Sequence, residues 1–122
     1  MNKWQALDAF WNSFGIPAYE ENSIPDDAKM PYITYNASID SLDRPQNCTA
    51  DVWYHSNSWQ GISLKVDEIS NAITIGGKVM PIDDKQFVWI CRGTPFAQRM
   101  ADEDDEVKRI YIVLNVEFLS KN

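Results

Sequence analysis

The sequence predicts an α+β fold: an antiparallel or mixed sheet of about four to five strands, a long helix packed on one face, and an N-terminal helix. Three observations lead there. In the stretch Ser56–Gly77, the apolar residues Trp59, Ile62, Val66, Ile69 and Ile73 recur at spacings of three and four. That spacing draws a single stripe on an α-helix. Lys108–Leu119 alternates instead, with Ile110, Ile112, Leu114, Val116 and Phe118 on one side and Tyr111, Val113, Asn115 and Glu117 on the other. A period of two is that of a strand with one buried face. Finally, the two kinds of period follow one another in the order α-β-β-α-β-β-β, which suits helices laid on one sheet.

Taken in order, Asn2–Phe14 reads as the first helix, with Trp4, Leu7, Trp11 and Phe14 on one face and Phe10 widening it. Gly15 and Pro17 end it. Ala18–Lys29 is acidic and has no period, so it reads as an ordered loop pinned by Tyr19 and Ile24. Pro31 opens a strand, PYITYNAS, and a polar turn, Ile39–Gln46, leads to a second, NCTADVWYHS. These two suggest an antiparallel hairpin. The striped helix follows, with Asn57 and Gln60 or Ser58 as its start and Gly76-Gly77 as its stop. Lys78–Ile82 contains Pro81 and reads as an edge strand. Asp83-Asp84-Lys85 is a turn, Gln86–Arg92 a strand, and Gly93 and Pro95 break it. A long connection, Thr94–Glu106, then leads to the final strand, which should pair with Phe87–Arg92.

Composition narrows the function. The 122 residues fit one domain spanning 1–122, and 44% are hydrophobic, enough for a core. The net charge of −7 excludes binding to nucleic acid by phosphate neutralisation, which needs clustered Lys and Arg. No apolar run is long enough to span a bilayer, and the N-terminus lacks the apolar core of a signal peptide. The expectation is therefore a cytoplasmic protein with no membrane partner. Cys48 and Cys91 then read as thiols rather than a disulfide.

A search for chemistry nominates no catalytic residue, no cofactor site and no metal site. His55 is the one histidine, with no companions at triad or metal-ligand spacing. Gly76-Gly77 lacks the rest of a phosphate loop. The acidic run Asp102, Glu103, Asp104, Asp105 and Glu106 lacks the ligand spacing of a calcium loop. It reads as a solvated loop or, in a ring, as a lumen lining that keeps DNA from sticking. Phe96, Arg99 and Met100 belong to types enriched at interface cores, as do Trp4 and Trp11 in the first helix. All five are candidates for a subunit interface, and core packing is the alternative for each.

Three stretches resemble small structural proteins of long-tailed phages and prophages, the tail-terminator and head–tail joining components. They are WQALDAFWNSFGIPAYEENSIPDDAKMPYITYN, VWYHSNSWQGISLKVDEI and GTPFAQRMADEDDEVKRIYIVLNVEFL. The resemblance implies a small α/β fold assembling as a ring, commonly a hexamer, at the end of the tail tube. Its partners would be further copies of itself, the tail tube protein and head–tail connector proteins. It would reside in the bacterial cytoplasm during assembly and in the virion afterwards. The alternatives are a head-closure or connector protein, or a small α+β ligand-binding domain or enzyme. A ring needs two different, complementary patches on each subunit, and the aromatic first helix and the Gly93–Glu106 connection are the ones the sequence offers.

The stripe itself is testable. Ile69→Ala should cost about 2–5 kcal/mol in a denaturant melt. A loss below about 0.5 kcal/mol, the range of ordinary surface changes, would mean that the stripe faces water.

Overall fold

The structure, a computed structural model, describes residues 1–37 and 44–121. Most of the turn expected over Ile39–Gln46 lies outside the described residues. The chain opens with helix α1 (Lys3–Trp11), continued by a 3₁₀ turn at Asn12–Phe14. Asn2 caps α1: its side chain accepts from the Gln5 N–H at 2.8 Å, and the Gln5 side chain accepts from the Asn2 N–H at 2.8 Å. This reciprocal pair satisfies two helix-end donors. Gly15 ends the turn with φ 81°.

Strands β1 (Ala18–Glu20), β2 (Tyr32–Tyr35) and β3 (Gln46–His55) follow, then helix α2 (Gln60–Ala72), then β4 (Lys78–Pro81), β5 (Gln86–Met100) and β6 (Val107–Ser120). Among the described residues they form one six-stranded sheet in the order β1-β2-β3-β6-β5-β4. The β1–β2 pair is parallel and the other pairs are antiparallel. The sheet is curled. Helix α1 touches both β1 and β4, the two edge strands, so the curl closes around it.

Both helices lie on the same, inner face. Leu7, Phe10 and Trp11 of α1 and Ile62, Val66 and Ile69 of α2 join Val52, Val88, Ile90, Ile112, Leu114 and Val116 of the strands in one core. Phe10 meets Trp11 and Phe14 edge to face, with centroids 5.0 and 5.2 Å apart, and Trp11 stacks on Tyr35. The Tyr35 hydroxyl donates to the Asp8 carboxylate, tying α1 to β2. Burial, reinforced by that bond, pushes the Tyr35 phenol well above its usual range. Lys65 Nζ donates to the Phe14 carbonyl at 2.6 Å, so α2 is fastened to the end of the first helical segment.

Two features overturn the α+β expectation. First, the sheet has six strands and dominates; the helices are short, 9 and 13 residues. The fold is mostly β, a curled half-barrel with helices inside it, and not a long helix on a four- or five-stranded sheet. Ala18–Glu20, expected as loop, is a strand because it pairs in parallel with Ile33–Tyr35. Three residues are too few to show a period, so only the partner reveals them. Second, the expected Thr94–Glu106 connection is largely strand. β5 runs through Gly93 and Pro95 to Met100 and re-pairs with β6 at Ala97↔Ile112.

A bulge makes that continuity possible. Arg92 pairs with Leu114 and Ala97 with Ile112, so Gly93, Thr94, Pro95 and Phe96 all stand opposite Val113. Surplus residues on one strand bend it and increase its twist. Arg92 and Arg99 are seven apart and would face opposite sides of a regular strand. The bulge resets the alternation, and both reach α2. Arg92 Nη1 donates to the Ser70 carbonyl at 3.1 Å and to its hydroxyl at 2.9 Å; Arg99 Nη2 donates to the Ser63 hydroxyl at 3.4 Å.

Gly93 lies close against Val113 of β6. A Cβ there would lie 2.6 Å from Val113 Cγ1 and 2.7 Å from the Val113 carbonyl oxygen. Gly93→Ala should therefore push the strands apart and cost about 1–3 kcal/mol, the usual range for overpacking. Urea denaturation measures it, and an unchanged midpoint would show that the bulge yields freely.

Candidate functional site

Because both helices fill the curl, no helix covers the outer face of the sheet among the described residues; over β5 the turn before β4 reaches it, where Trp89 Nε1 donates to the Gly76 carbonyl at 2.8 Å. Alternation decides what it displays. In β3 the inner positions are Cys48, Ala50 and Val52, leaving Thr49, Asp51 and Trp53 outside. In β6 the inner positions are Ile110, Ile112, Leu114 and Val116, leaving Arg109, Tyr111, Val113, Asn115, Glu117 and Leu119 outside. Across β5 and β4 the outer face continues through Phe87, Trp89, Cys91 and Val79. It is a broad, half-exposed surface, rich in aromatic and aliphatic side chains.

Register turns these residues into a row. Tyr32 stands opposite Trp53, and Trp53 opposite Arg109. The Tyr19 and Tyr32 rings meet edge to face at 5.9 Å, and Tyr32 and Trp53 lie 6.4 Å apart. The Arg109 guanidinium sits 5.1 Å from the Trp53 ring centre, a cation–π contact. Trp53 Nε1 donates to the Thr34 hydroxyl at 2.9 Å, which holds the indole in place. Arg109 Nη1 lies 3.7 Å from Asp51 Oδ1. Burial pushes the Asp51 carboxyl above its usual range; Arg109 pulls the other way, and Glu21 adds to the rise.

The residues nominated from sequence are scattered relative to this face. Trp11 is 0% exposed, stacked in the core, and has no surface to offer a partner. That removes it from the interface candidates. Trp4 is 50% exposed on α1, with Lys3 Nζ 4.6 Å from its ring centre. Phe96 is half-buried and packs against the core from the bulge. Arg99 stacks 4.8 Å over Trp59 at the start of α2, and Lys108 Nζ lies 5.6 Å from the same ring. Met100 lines a shallow hollow beside Trp59, Asp102 and Lys108.

Asp102, Glu103, Asp104, Asp105 and Glu106 are all exposed at the tip of the β5–β6 hairpin. Two of these carboxylates hold the tip's own shape. Asp102 accepts from the Asp104 N–H at 3.0 Å, and Asp104 from the Glu106 N–H at 2.9 Å, two successive Asx turns. His55 Nε2 lies 3.4 Å from Glu106 Oε2, and both side chains are mostly in water. Among the described residues no cluster of His, Cys, Asp and Glu is arranged to hold a metal ion. Cys91 sits half-buried on the outer face, where burial and the Glu117 charge push its thiol up, away from the thiolate form that reacts.

The outer row was visible in part. Alternation places Trp53 and Asp51 on one side of β3, but the neighbours that complete the row come only from the register with β2 and β6.

No protein-family model matches this chain, and no curated protein matches it. Among solved structures, it is similar to a chain in the virion of a native gene transfer agent (GTA) particle. The likeness has a TM-score of 0.58 at 15% identity and covers 94% of this chain and 90% of that one. At that identity the likeness is one of fold.

The Asp51–Arg109 pair makes a pH-dependent prediction. Each side chain keeps 28% of its surface, so losing one partner should cost less than in a fully buried pair. Arg109→Ala should destabilise the protein by about 1–2 kcal/mol at pH 7. A carboxyl raised in the folded state favours folding in its protonated form: that contribution is full below the ordinary value and lost as pH rises through the raised one. Without Arg109 the rise is larger, so the deficit of the variant should shrink as pH falls from 7 toward 4. Denaturant melts across that range check the sign; a deficit that grows on acidification would contradict it.

Proposed function

We propose that this chain is a virion structural subunit that works as a ring at the end of a phage-like tail tube or at the head–tail junction, as a tail terminator or joining protein. The observation that carries the reading is the outer sheet face. It holds Tyr32, Trp53, Phe87, Trp89, Tyr111, Val113 and Leu119 on one side of the sheet, while both helices lie on the other. A contiguous apolar face of that kind marks a protein–protein contact. The fold shared with a chain of a virion particle supports it.

In this reading residues 1–122 act as one domain with no enzymatic role, and each copy meets two neighbours, six copies closing the ring. The tail tube protein and connector proteins meet the ring's two ends. Trp4 and the hairpin-side residues Met100 and Arg99 lie at contacts. Asp102–Glu106 face a central channel, where their charge repels DNA phosphates and lets DNA pass without sticking. The protein would pass from the cytoplasm of the producing bacterium into the virion.

Tyr111→Glu combined with Leu119→Glu tests the outer face, since both residues are half-exposed on β6. The double variant should keep the far-ultraviolet circular dichroism of the parent and fail to complete particles in producing cells, as counted by electron microscopy. Normal particles from a folded double variant would show that this face stays open to solvent.

A further inference from the structure

The acidic tip stands beyond the ladder that joins β5 to β6, whose last pair is Met100↔Arg109. Its backbone meets the body of the protein through the segment between β3 and α2, where the Ser56 N–H donates to the Glu106 carbonyl at 2.7 Å. Three residues on, the Trp59 indole receives a cation from each strand of the hairpin. The Arg99 guanidinium of β5 lies 4.8 Å from its ring centre and Lys108 Nζ of β6 lies 5.6 Å away. Register explains why both arrive. Arg99 stands opposite Ile110, and Lys108 alternates to the same inner face as Ile110.

Each cation is tied at a second point. Arg99 Nη2 donates to the Ser63 hydroxyl at 3.4 Å, in the first turn of α2, and Lys108 Nζ donates to the Asp105 carbonyl in the tip itself. One indole thus joins α2, both hairpin strands and the tip backbone. Carboxylates are near: Asp102, Asp104 and Asp105 line the hollow beside Trp59. Asp102 and Asp104 accept from N–H groups of the tip, however, and among the described residues none of the three forms an ion pair with Arg99 or Lys108. The negative face of the indole is what lets two like charges share this place. Trp59 makes no capping hydrogen bond to α2, and it is half-buried at the margin of the core, whereas Ile62, Ile69 and Ile73 of the same stripe are fully buried. An aliphatic side chain would fill that margin and offer no face to a cation.

We propose that Trp59 is the positioning residue of the acidic tip: by receiving Arg99 and Lys108 on its indole, it fixes the direction in which Asp102–Glu106 leave the body. The proposal deepens the ring reading, in which those carboxylates must stand at the same place in every copy to line a channel. It rests on that reading for the use of the tip.

Substitutions in the full-length chain separate an aromatic face from apolar bulk. Amide hydrogen exchange reports the tip through the N–H groups of Ser56, Asp104, Glu106 and Val107, which are bonded to it or within it, and the body through Ile69 and Leu114. Trp59→Leu should speed exchange at the tip about tenfold, the scale of two cation–π contacts, and leave the body amides unchanged. Trp59→Phe, which keeps an aromatic face, should stay within about threefold of the parent. Arg99→Met with Lys108→Met keeps the indole and the core margin intact, and should loosen the tip as Trp59→Leu does. Added to Trp59→Leu, the Met pair should loosen the tip little further, because residues in contact are not additive. Exchange at the tip that is unchanged in the Met pair, equal in Trp59→Leu and Trp59→Phe, or fully additive in the combined variant overturns the proposal. In producing cells, Trp59→Leu should lose completed particles and Trp59→Phe should retain them. A loosened tip with a normal particle yield would overturn the channel lining of the ring reading and uphold the positioning by Trp59.

Discussion

The pairing of β6 with β3 on one side and β5 on the other is the interaction on which the rest depends. Ten consecutive residues of β3, Gln46 to His55, are in register with β6 from Val116 to Val107. β5 pairs with the other edge of β6 over nearly its full length. With both edges occupied, β6 has no freedom to slip. A shift of one residue would turn Ile110, Ile112, Leu114 and Val116 to the wrong face and expose the centre of the core. Strand β2 then attaches to β3 and β4 to β5, so the order of the sheet grows outward from this strip.

Curling follows from what the inner face must bury. Leu7, Phe10 and Trp11 bring large rings and branched chains to the inside, and α2 adds Ile62, Val66 and Ile69. A flat sheet could not reach both sides of α1, whereas a curled one touches it with β1 and with β4. The consequence is asymmetry. Both described helices are used on one face, and the outer row of Tyr19, Tyr32, Trp53 and Arg109 makes its ring contacts along the sheet. Those contacts hold the side chains in place along the sheet.

The Gly93 bulge links this frame to the hairpin tip. By resetting the alternation of β5 it lets Arg92 and Arg99 both hold α2, one near each end. Arg92 sits on a carbonyl of the last turn, where a cation is favoured by the helix dipole. Arg99 reaches the first turn and also stacks on Trp59. The acidic tip therefore projects from a strand fixed against the body of the protein, and Asp102 and Asp104 spend their side chains on its turns. Within the acidic segment those two carboxylates are therefore held by the backbone of the tip.

By itself the sequence determined the local elements whose period is long enough to read. The stripe of Ile62, Val66 and Ile69 becomes the buried face of α2, and the alternation of Lys108–Leu119 becomes β6. Pro81 marks an edge. These depend on contacts within a few residues, which is what periodicity records. Tertiary structure decided the rest. Ala18–Glu20 is a strand only because β2 lies beside it, and β5 continues past Gly93 and Pro95 only because β6 supplies hydrogen-bond partners beyond the bulge. The burial of Trp11 and the use of both helices on one face come from the curl. The aromatic row of the outer face comes from strand register, which joins residues as far apart as Tyr32 and Arg109 and leaves no mark on the local spacing of either.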